Sequence, residues 1–521
     1  MVPAVAGSAA GGRLAVRDAV VAQIARISAF PAEQLHEDHL VVQELGFDSL
    51  MLAELMASVR GLWPELAERL TAGSIAARPT IREIVDTLAA MLGADAAPVT
   101  PKPEIIPVTT DVVVPQERRI EDFPEAIALE AQLAEPGARN PYFLLHEGTA
   151  TAGTRIEGRE LVCFSSYNYL GLSGHPAVKQ AVAEALDRYG SSVSASRFLS
   201  GDRPLHRELE GELATLLGTE DAVVMVGGHA TNVSVIGHLL GPGDLVVHDE
   251  LAHDSILQGC KLSGARRLPF PHNDMAALDE LLTRARARYR RCLIVVEGVY
   301  SMDGDLVDLP RLIEVKEKHG ALALVDEAHS IGTIGKSGGG VGDHFGVDRS
   351  RIDLWVGTLS KSLSSCGGYV GGSAATVRYL KYSVPGFVYS VGMTPPNAAA
   401  ALAAVRTMRD EPERLERLRA NAELFLTEAR KAGLDTGPSS GSPVVPCVVG
   451  DSVLTLRLAE ALFDRGISVN PIMYPGVPES EARLRFFVTS EHTDEQIHAT
   501  VAAVAQELTR LRADAAAPTQ A

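Results

Sequence analysis

Hydrophobic and polar residues follow different patterns in two parts of the chain. Between residues 13 and 92, apolar residues recur at helical spacing in three segments, and the second segment begins at Ser49. Thr80 and Glu83 have the spacing of a capping box, which marks the start of the third segment. The pattern therefore predicts a small all-α bundle over residues 13–92.

Residues 119–510 alternate short apolar, β-branched runs with helical stretches. The clearest runs are AVVMV (222–226), DLVVH (244–248), CLIVVEG (292–298), ALALVDEAH (321–329) and DLWVGT (353–358). Continuous apolar runs are typical of strands that are buried on both faces of a parallel sheet. We therefore expect an α/β domain with a mainly parallel sheet, followed by a smaller C-terminal α/β part.

Two further segments lack this periodicity. Residues 93–118 are rich in proline, alanine and threonine, a composition that predicts a semi-extended linker. Residues 511–521 end the chain in a short polar and alanine-rich stretch, which predicts a flexible tail.

Composition narrows the possible functions. The 521 residues include 66 acidic and 48 basic ones, giving a net charge of −18, which argues against nucleic acid as a partner. The five cysteines are far apart and form no CxxC pair, so neither a metal site nor a disulfide framework is indicated. No apolar run is long enough to cross a membrane. We therefore expect a cytoplasmic protein.

Ser49 stands at the predicted start of a helix, within the string GFDSL (46–50). Free backbone N–H groups at that position would stabilise a phosphate attached to the serine. Taken alone, the tripeptide Asp-Ser-Leu is better explained by an ordinary serine N-cap, which is common. The whole region, however, resembles an acyl carrier protein, whose modified serine lies in this string at the head of its second helix. The resemblance implies 4′-phosphopantetheine on Ser49 and a phosphopantetheinyl transferase as a partner.

A second group of residues follows three predicted strands. Asp326 ends one strand, and Lys361 lies just beyond a later one among small hydroxyl residues. The string GGHATN (227–232) follows another strand and precedes a helix, where free N–H groups suit a phosphate. A phosphate cradle, a buried carboxylate and a lysine that can condense with an aldehyde fit pyridoxal 5′-phosphate.

Residues 119–510 closely resemble the α-oxoamine synthases, which are fold-type I pyridoxal-phosphate enzymes. The matching strings occur in the family's order and span nearly the whole region. They are SYNYLGL (166–172), EGVYSMDGD (297–305), VDEAH (325–329), TLSK (358–361) and ARLR (482–485).

The resemblance implies a role for each matching residue. Lys361 would bind the cofactor aldehyde and move protons, Asp326 would pair with the ring nitrogen, and His329 would bind the ring's 3-hydroxyl oxygen. The remaining cofactor assignments are stacking by His253, phosphate contacts from Gly228, His229 and Thr358, and proximity for Ser301. Tyr167 and Arg485 would bind the amino-acid substrate.

For some of these residues the sequence leaves other roles open. His229 stands where the family often has an aromatic residue, so only its backbone contact is carried over. His253 taken alone would be a core histidine. Arg483 and Arg485 share a strand face, so periodicity cannot choose between them, and only the family match selects Arg485.

The implied reaction is a decarboxylative Claisen-type condensation of an α-amino acid with an acyl thioester, giving an α-amino ketone and CO2. The fused carrier suggests that the acyl group is delivered from Ser49, in natural-product biosynthesis with acyl-loading or polyketide synthase partners. A carrier-linked aminotransferase and an inactive docking scaffold are the alternatives. The family's subunit arrangement implies a homodimer, with Ser390 as a candidate contact to the phosphate.

Overall fold

The computed structural model describes two compact units. The first contains the described residues up to Ala128 together with Val247–Glu250 and Arg266–Leu281, and the second contains Leu129–Val246, Leu251–Ala265 and the chain from Leu282 onward. The described residues are 8–28, 32, 35–42, 45, 47, 49–63, 66, 69, 79–92, 118–133, 140–474 and 476–516. The predicted linker therefore lies outside them, apart from Arg118.

In the first unit, the described residues before position 93 form helices α1 (Ser8–Ser28), α2 (Ser49–Leu62) and α3 (Ile81–Leu92). The predicted capping box is present, because the Thr80 N–H donates to Glu83 Oε2 (2.8 Å) and the Glu83 N–H donates to Thr80 Oγ1 (3.1 Å). These helices share an apolar core. Its fully enclosed members include Val16, Val20, Ile24, Phe47, Val85 and Leu88. The bundle therefore has a hydrophobic interior of its own.

The remaining helices are α4 (Pro124–Leu133), α5 (Pro176–Tyr189), α6 (Pro204–Leu217), α7 (Gly228–Leu239), α8 (Asp254–Ser263), α9 (Met275–Ala285), α10 (Leu309–Lys318), α11 (Gly340–Phe345), α12 (Ala374–Ser383), α13 (Pro385–Val388), α14 (Pro395–Asp410), α15 (Glu413–Lys431), α16 (Ser452–Asp464) and α17 (Asp494–Ala516). A π-helical turn spans Arg197–Gly201. Helix α17 continues to Ala516, into the segment predicted as a tail. Within the described chain, no helix is both long and apolar enough to span a membrane.

The strands are β1 (His146–Glu147), β2 (Gly153–Ile156), β3 (Arg159–Cys163), β4 (Asp221–Met225), β5 (Leu245–Asp249), β6 (Arg266–Phe270), β7 (Cys292–Glu297), β8 (Leu322–Asp326), β9 (Leu354–Thr358), β10 (Gly368–Gly372), β11 (Val444–Val448), β12 (Ile467–Ser468), β13 (Asn470–Ile472) and β14 (Arg483–Phe487). Each apolar run singled out above corresponds to one of them.

The main sheet has the strand order β4-β10-β9-β8-β7-β5-β6. Strands β7, β8 and β9 are parallel neighbours, whereas β10 is antiparallel to both β9 and β4. Because β10 reverses direction between them, β4 and β9 run the same way. The carboxyl ends of β4, β7, β8 and β9 therefore meet at one edge, where open α/β sheets bind their ligands.

Two smaller sheets complete the second unit. Strands β11, β14 and β13 form an antiparallel sheet, and β1, β2, β3 and β12 form a four-stranded one. Helices α15, α16 and α17 contribute to an apolar cluster with the first of these sheets, which includes Phe425, Leu462, Phe486 and Val504. This packing fixes β14, the strand that contains Arg483 and Arg485.

Candidate active site

Lys361 lies three residues beyond β9, at the edge where the parallel strands end. Burial of its amine lowers the pKa from 10.5 to about 8, although the negative charges of Asp326 and Glu297 act in the opposite direction. Its Nζ atom lies 5.6 Å from the centre of the Tyr167 ring. A lysine with this pKa is partly neutral near pH 8 and can act as a nucleophile or a base.

Asp326 ends β8 and is held by two donors. The Asn232 side-chain amide donates to Oδ2 (2.7 Å), and the Ala328 N–H donates to Oδ1 (2.9 Å). The same Asn232 amide also donates to Ser255 Oγ (3.0 Å). Asp326 is 95% buried, so these protein donors replace water as hydrogen-bond partners of the carboxylate and fix its orientation.

His329 is enclosed by aromatic side chains. Its Nδ1 lies 2.7 Å from the Tyr169 hydroxyl, and its ring lies nearly parallel to that of Phe487, with 6.1 Å between the ring centres. Burial holds the pKa of the imidazole well below its usual value, and the positive charges of Lys361 and Arg485 lower it further. His329 is therefore neutral at physiological pH, with its second ring nitrogen available for a hydrogen bond.

His253 precedes α8 and is anchored at both ends. Its backbone N–H donates to Glu297 Oε1 (2.7 Å), and its Nδ1 lies 2.7 Å from Ser255 Oγ. Burial is the largest cause that lowers the pKa of this imidazole; the Lys361 charge acts in the same direction, whereas the Asp326 charge raises it. Ser255 thus links His253 through Asn232 to the carboxylate of Asp326.

Gly228 begins α7 immediately beyond β4 and packs closely against Thr358. A Cβ atom at Gly228 would lie 2.8 Å from Thr358 Cβ, so only glycine fits here without a shift. The first N–H groups of a helix have no partner within the helix and favour a negative ligand. Thr358 Oγ1 donates to the Gly367 carbonyl (3.0 Å), and the threonine is thereby fixed beside this helix terminus.

His229 contributes its backbone rather than its ring to this helix terminus. Its side chain is 61% exposed, and Nε2 lies 3.9 Å from Asp254 Oδ2. The ring meets that of His253 edge-on, with 6.4 Å between the ring centres. Where the family often has an aromatic residue, this chain therefore has a solvent-facing imidazole next to the site.

Arg483 and Arg485 differ in their partners, although they share a strand. Arg483 is buried and paired, with Nη1 2.6 Å from Asp303 Oδ1 and Nη2 2.8 Å from Glu481 Oε2. Arg485 donates to the Ser301 carbonyl (3.0 Å) and lies over the Phe487 ring, 4.7 Å from its centre. Among the described residues, Arg485 forms no ion pair, and its buried Nε has no partner. Arg485 is thus the arginine that is able to bind a carboxylate.

The remaining predicted residues are Tyr167, Ser301, Ser390 and Ser49. Tyr167 is 38% exposed and packs edge-on against Phe487, so it faces the space beside Lys361 and Arg485. Ser301 contacts Arg485 through its backbone carbonyl. Ser390 lies beyond α13, where its hydroxyl donates to the Val391 carbonyl (3.2 Å). Ser49 is the first residue of α2, and its side chain lies outside the described atoms.

Sequence reasoning did not single out Asn232, Ser255, Tyr169 or Phe487, which support the site. One signal was available for Asn232. It lies four residues after Gly228 on the same helix, and residues at that spacing share a face. Tyr169 lies within the matching string SYNYLGL, but the string did not reveal its contact, because its partner His329 is 160 residues away.

The chemistry of these groups defines what they can hold. A helix N-terminus suits an anion, Asp326 suits a protonated ring nitrogen, and Lys361 suits an aldehyde. The orphaned Nε of Arg485 leaves a donor for a carboxylate beside them. An aromatic aldehyde with a phosphate and a ring nitrogen satisfies all of these requirements. Pyridoxal 5′-phosphate is such a compound.

Comparisons with known proteins agree with this chemistry. Residues 159–504 match the family of class I and II aminotransferases. The chain is 42% identical over 351 residues to 8-amino-7-oxononanoate synthase of Symbiobacterium thermophilum, covering 67% of this chain and 89% of that protein. It is 41% identical over 339 residues to 4-hydroxy-2,2'-bipyrrole-5-methanol synthase PigH of a Serratia species, covering 65% of this chain and 52% of PigH.

A solved structure of a related enzyme has the same fold. Serine palmitoyltransferase of Sphingomonas wittichii aligns with a TM-score of 0.72 at 30% identity, covering 76% of this chain and 99% of that structure. The predicted architecture, a fold-type I pyridoxal-phosphate transferase with a mainly parallel sheet, is confirmed.

Proposed function

Because this chain belongs to the α-oxoamine synthases, within the class I and II aminotransferase family, we propose that it joins an α-amino acid to an acyl group carried on Ser49. The enzyme is a pyridoxal-phosphate-dependent acyltransferase, and its relatives support decarboxylative condensation of an amino acid with an acyl thioester. The proposal adds the carrier-bound donor, an α-amino ketone as product and a setting in natural-product biosynthesis.

Pyridoxal 5′-phosphate, when bound, supplies the aldehyde and an electron-withdrawing ring. Lys361 is the residue we assign to the proton at the substrate Cα, and its lowered pKa lets it alternate between neutral and charged forms near pH 8. Asp326 would keep a proton on the ring nitrogen, since two hydrogen bonds orient its buried carboxylate. We assign stacking on the ring to His253 and the 3-hydroxyl contact to the neutral His329.

Arg485 is assigned to the substrate carboxylate, with Tyr167 beside it. A guanidinium can bind a carboxylate through two parallel hydrogen bonds, which would fix the amino acid in one orientation. The Phe487 ring under the guanidinium and the Ser301 carbonyl hold Arg485 in place. The phosphate is assigned to the N–H groups of Gly228 and His229 and to the Thr358 hydroxyl. The hydroxyl has one proton, so it would turn from the Gly367 carbonyl to the phosphate when the cofactor binds.

The position of Ser49 at the first residue of α2 supports the carrier assignment. Phe47, two residues earlier, is fully buried in the core of the helical bundle, which anchors the chain just before the helix. A helix N-terminus stabilises the phosphate of a phosphopantetheine arm, which a phosphopantetheinyl transferase would attach. A tethered carrier also raises the local donor concentration to about the millimolar range.

Loading the chain with defined acyl groups on Ser49 and screening amino acids tests the proposal. The expected result is one CO2 released and one free thiol left on the Ser49-bound arm for each α-amino ketone formed. Ser49→Ala is the control, since it cannot be loaded. Formation of a keto acid without CO2 would instead establish the carrier-linked aminotransferase.

We further propose that the active form is a homodimer. Exposed apolar side chains cluster near Ser390: Tyr389 is 85% exposed, Tyr382 is 71% exposed and Leu199 is 78% exposed. Phe198 packs edge-on against Tyr382, with 5.8 Å between the ring centres. Several large apolar side chains exposed on neighbouring segments favour an interface there. Sedimentation should give a dimer, and a fully active monomer would contradict the proposal.

A further inference from the structure

Arg266, at the start of β6, contacts the helical part of the first unit. Strand β6 is the last strand in the order of the main sheet, so it forms an edge. The Arg266 guanidinium donates from Nη1 to the Ser28 carbonyl (2.9 Å) and from Nη2 to the Leu45 carbonyl (3.4 Å). One side chain therefore joins the sheet edge to two separate points of the bundle.

The Ser28 contact has a clear electrostatic reason. Ser28 is the last residue of α1, and the final carbonyls of a helix have no partner within it and form the negative end of its dipole. A guanidinium is therefore favoured there. Its planar fork of donors also suits two carbonyls on neighbouring segments, which a lysine ammonium would not match in geometry.

Arg267, the next residue, contacts a different segment of the bundle. Its guanidinium meets the thioether of Met51, in the first turn of α2. Met51 lies two residues after Ser49, so this contact brings the beginning of α2 to β6. Together, the two arginines contact the end of α1, the segment before α2 and the start of α2.

The loop that follows β6 is itself braced. His272 Nδ1 lies 2.9 Å from Asp249 Oδ1, and the Asn273 N–H donates to Asp249 Oδ2 (2.8 Å). Val247–Glu250 and Arg266–Leu281 also group with the residues up to Ala128 when the chain is divided into compact units. The surface presented to the bundle is therefore an ordered part of the strand edge.

From these contacts we infer that the β6 edge, through Arg266 and Arg267, is an intramolecular docking surface for the helical bundle of the same chain. The docked bundle holds the head of α2 against the sheet edge. The contact does not require Ser49 to carry an arm. A failed carrier reaction with intact docking, or the reverse, would therefore separate it from the proposed function.

Cross-linking in the full chain tests the docking. Cys366 is exposed whereas the other four cysteines are buried, so a Cys366→Ser background removes the competing thiol. A short bismaleimide should then join residues 51 and 267 within one chain in M51C/R267C. The control is M51C/R417C, in which residue 51 is paired with an exposed arginine of α15 that is not part of the proposed contact, and the yield of M51C/R267C should be at least several-fold higher. Adding R266E should reduce the yield several-fold.

Hydrogen–deuterium exchange on chains without added cysteines provides the second measurement. R266E should speed exchange in peptides covering Ser28 and Leu45, whereas the matched charge reversal R417E should leave them unchanged. If R266E does not fold, R266Q replaces it in this measurement, with the same expected increase in exchange. A cross-link yield equal to that of the control pair, a cross-link found only between chains, or unchanged exchange in the Arg266 variants would overturn the inference.

Discussion

The side-chain amide of Asn232 donates a 2.7 Å hydrogen bond to the carboxylate of Asp326, 94 residues further along the chain. The same amide contacts Ser255, which in turn contacts His253. One residue on the first turns of α7 therefore connects the groups assigned to the ring nitrogen and to the ring face. We regard Asn232 as the residue that orients them.

Asn232→Ala should weaken cofactor binding and lower kcat/KM by about 10- to 100-fold. A hydrogen bond to a charged group contributes about 1.5–3 kcal/mol, and about 1.4 kcal/mol corresponds to a factor of ten. Titration of the apoenzyme with pyridoxal phosphate, followed by visible absorption, measures the loss. The control is Asn421→Ala, a buried amide that donates to the Thr489 and His492 carbonyls. It should lower stability without changing the cofactor affinity of folded protein.

The lowered pKa of Lys361 predicts a pH dependence for cofactor attachment. Below about pH 8 the amine is protonated and cannot attack an aldehyde, whereas above it the neutral form predominates. The attachment rate of the apoenzyme should therefore rise about tenfold per pH unit below this value and level off above it. Borohydride trapping and mass spectrometry measure attachment, which Lys361→Ala should abolish. A rate that keeps rising beyond pH 10 would show that the amine titrates normally.

Replacing each arginine of β14 should separate substrate binding from stability. Arg485→Gln should raise KM for the amino acid by about 100-fold, as expected for a lost charge-assisted contact, with little change in Tm. Arg483→Gln should instead destabilise the fold by about 3–5 kcal/mol, because the buried Asp303 loses its partner. Amino-acid titrations and thermal melts distinguish the two effects. Equal KM values for both variants would contradict the assignment of Arg485.

The two arginines also show where sequence reasoning ends. Strands β4, β5, β7, β8 and β9 could be predicted, together with the residues that follow β4, β8 and β9, because apolar runs and glycine-rich turns are local features. Strand β6 was not predicted. The choice between Arg483 and Arg485 could not be made from periodicity, since residues two apart share a strand face. It depends on Asp303, 180 residues before Arg483, and on an aromatic neighbour at Phe487. Such partners are set by tertiary packing.

The residues that support the site also depend on tertiary packing. Tyr169 is fully buried beside His329, and burial raises the pKa of its phenol well above 10. The sequence places it in the string SYNYLGL without indicating a role, and only the fold brings its hydroxyl to the imidazole. The end of helix α17 was also mispredicted, since the helix extends to Ala516, within the segment predicted as a tail. Alanine is common in flexible tails but is also the strongest helix former, so the composition of this segment fits both.

Ser49→Ala should abolish turnover that depends on carrier-bound acyl groups and leave the cofactor spectrum unchanged. The cause is the loss of the attachment point, since the residues assigned to the cofactor lie in the second unit. Mixing Ser49→Ala with Lys361→Ala chains then asks whether the carrier of one chain can serve the active site of another. Acyl-loaded Lys361→Ala supplies a donor without a competent site, and Ser49→Ala supplies the reverse. Activity in the mixture would establish transfer between chains, whereas an inactive mixture beside an active wild type would restrict delivery to one chain. Wild-type rates for Ser49→Ala alone on the natural donor would mean that the donor is a free thioester.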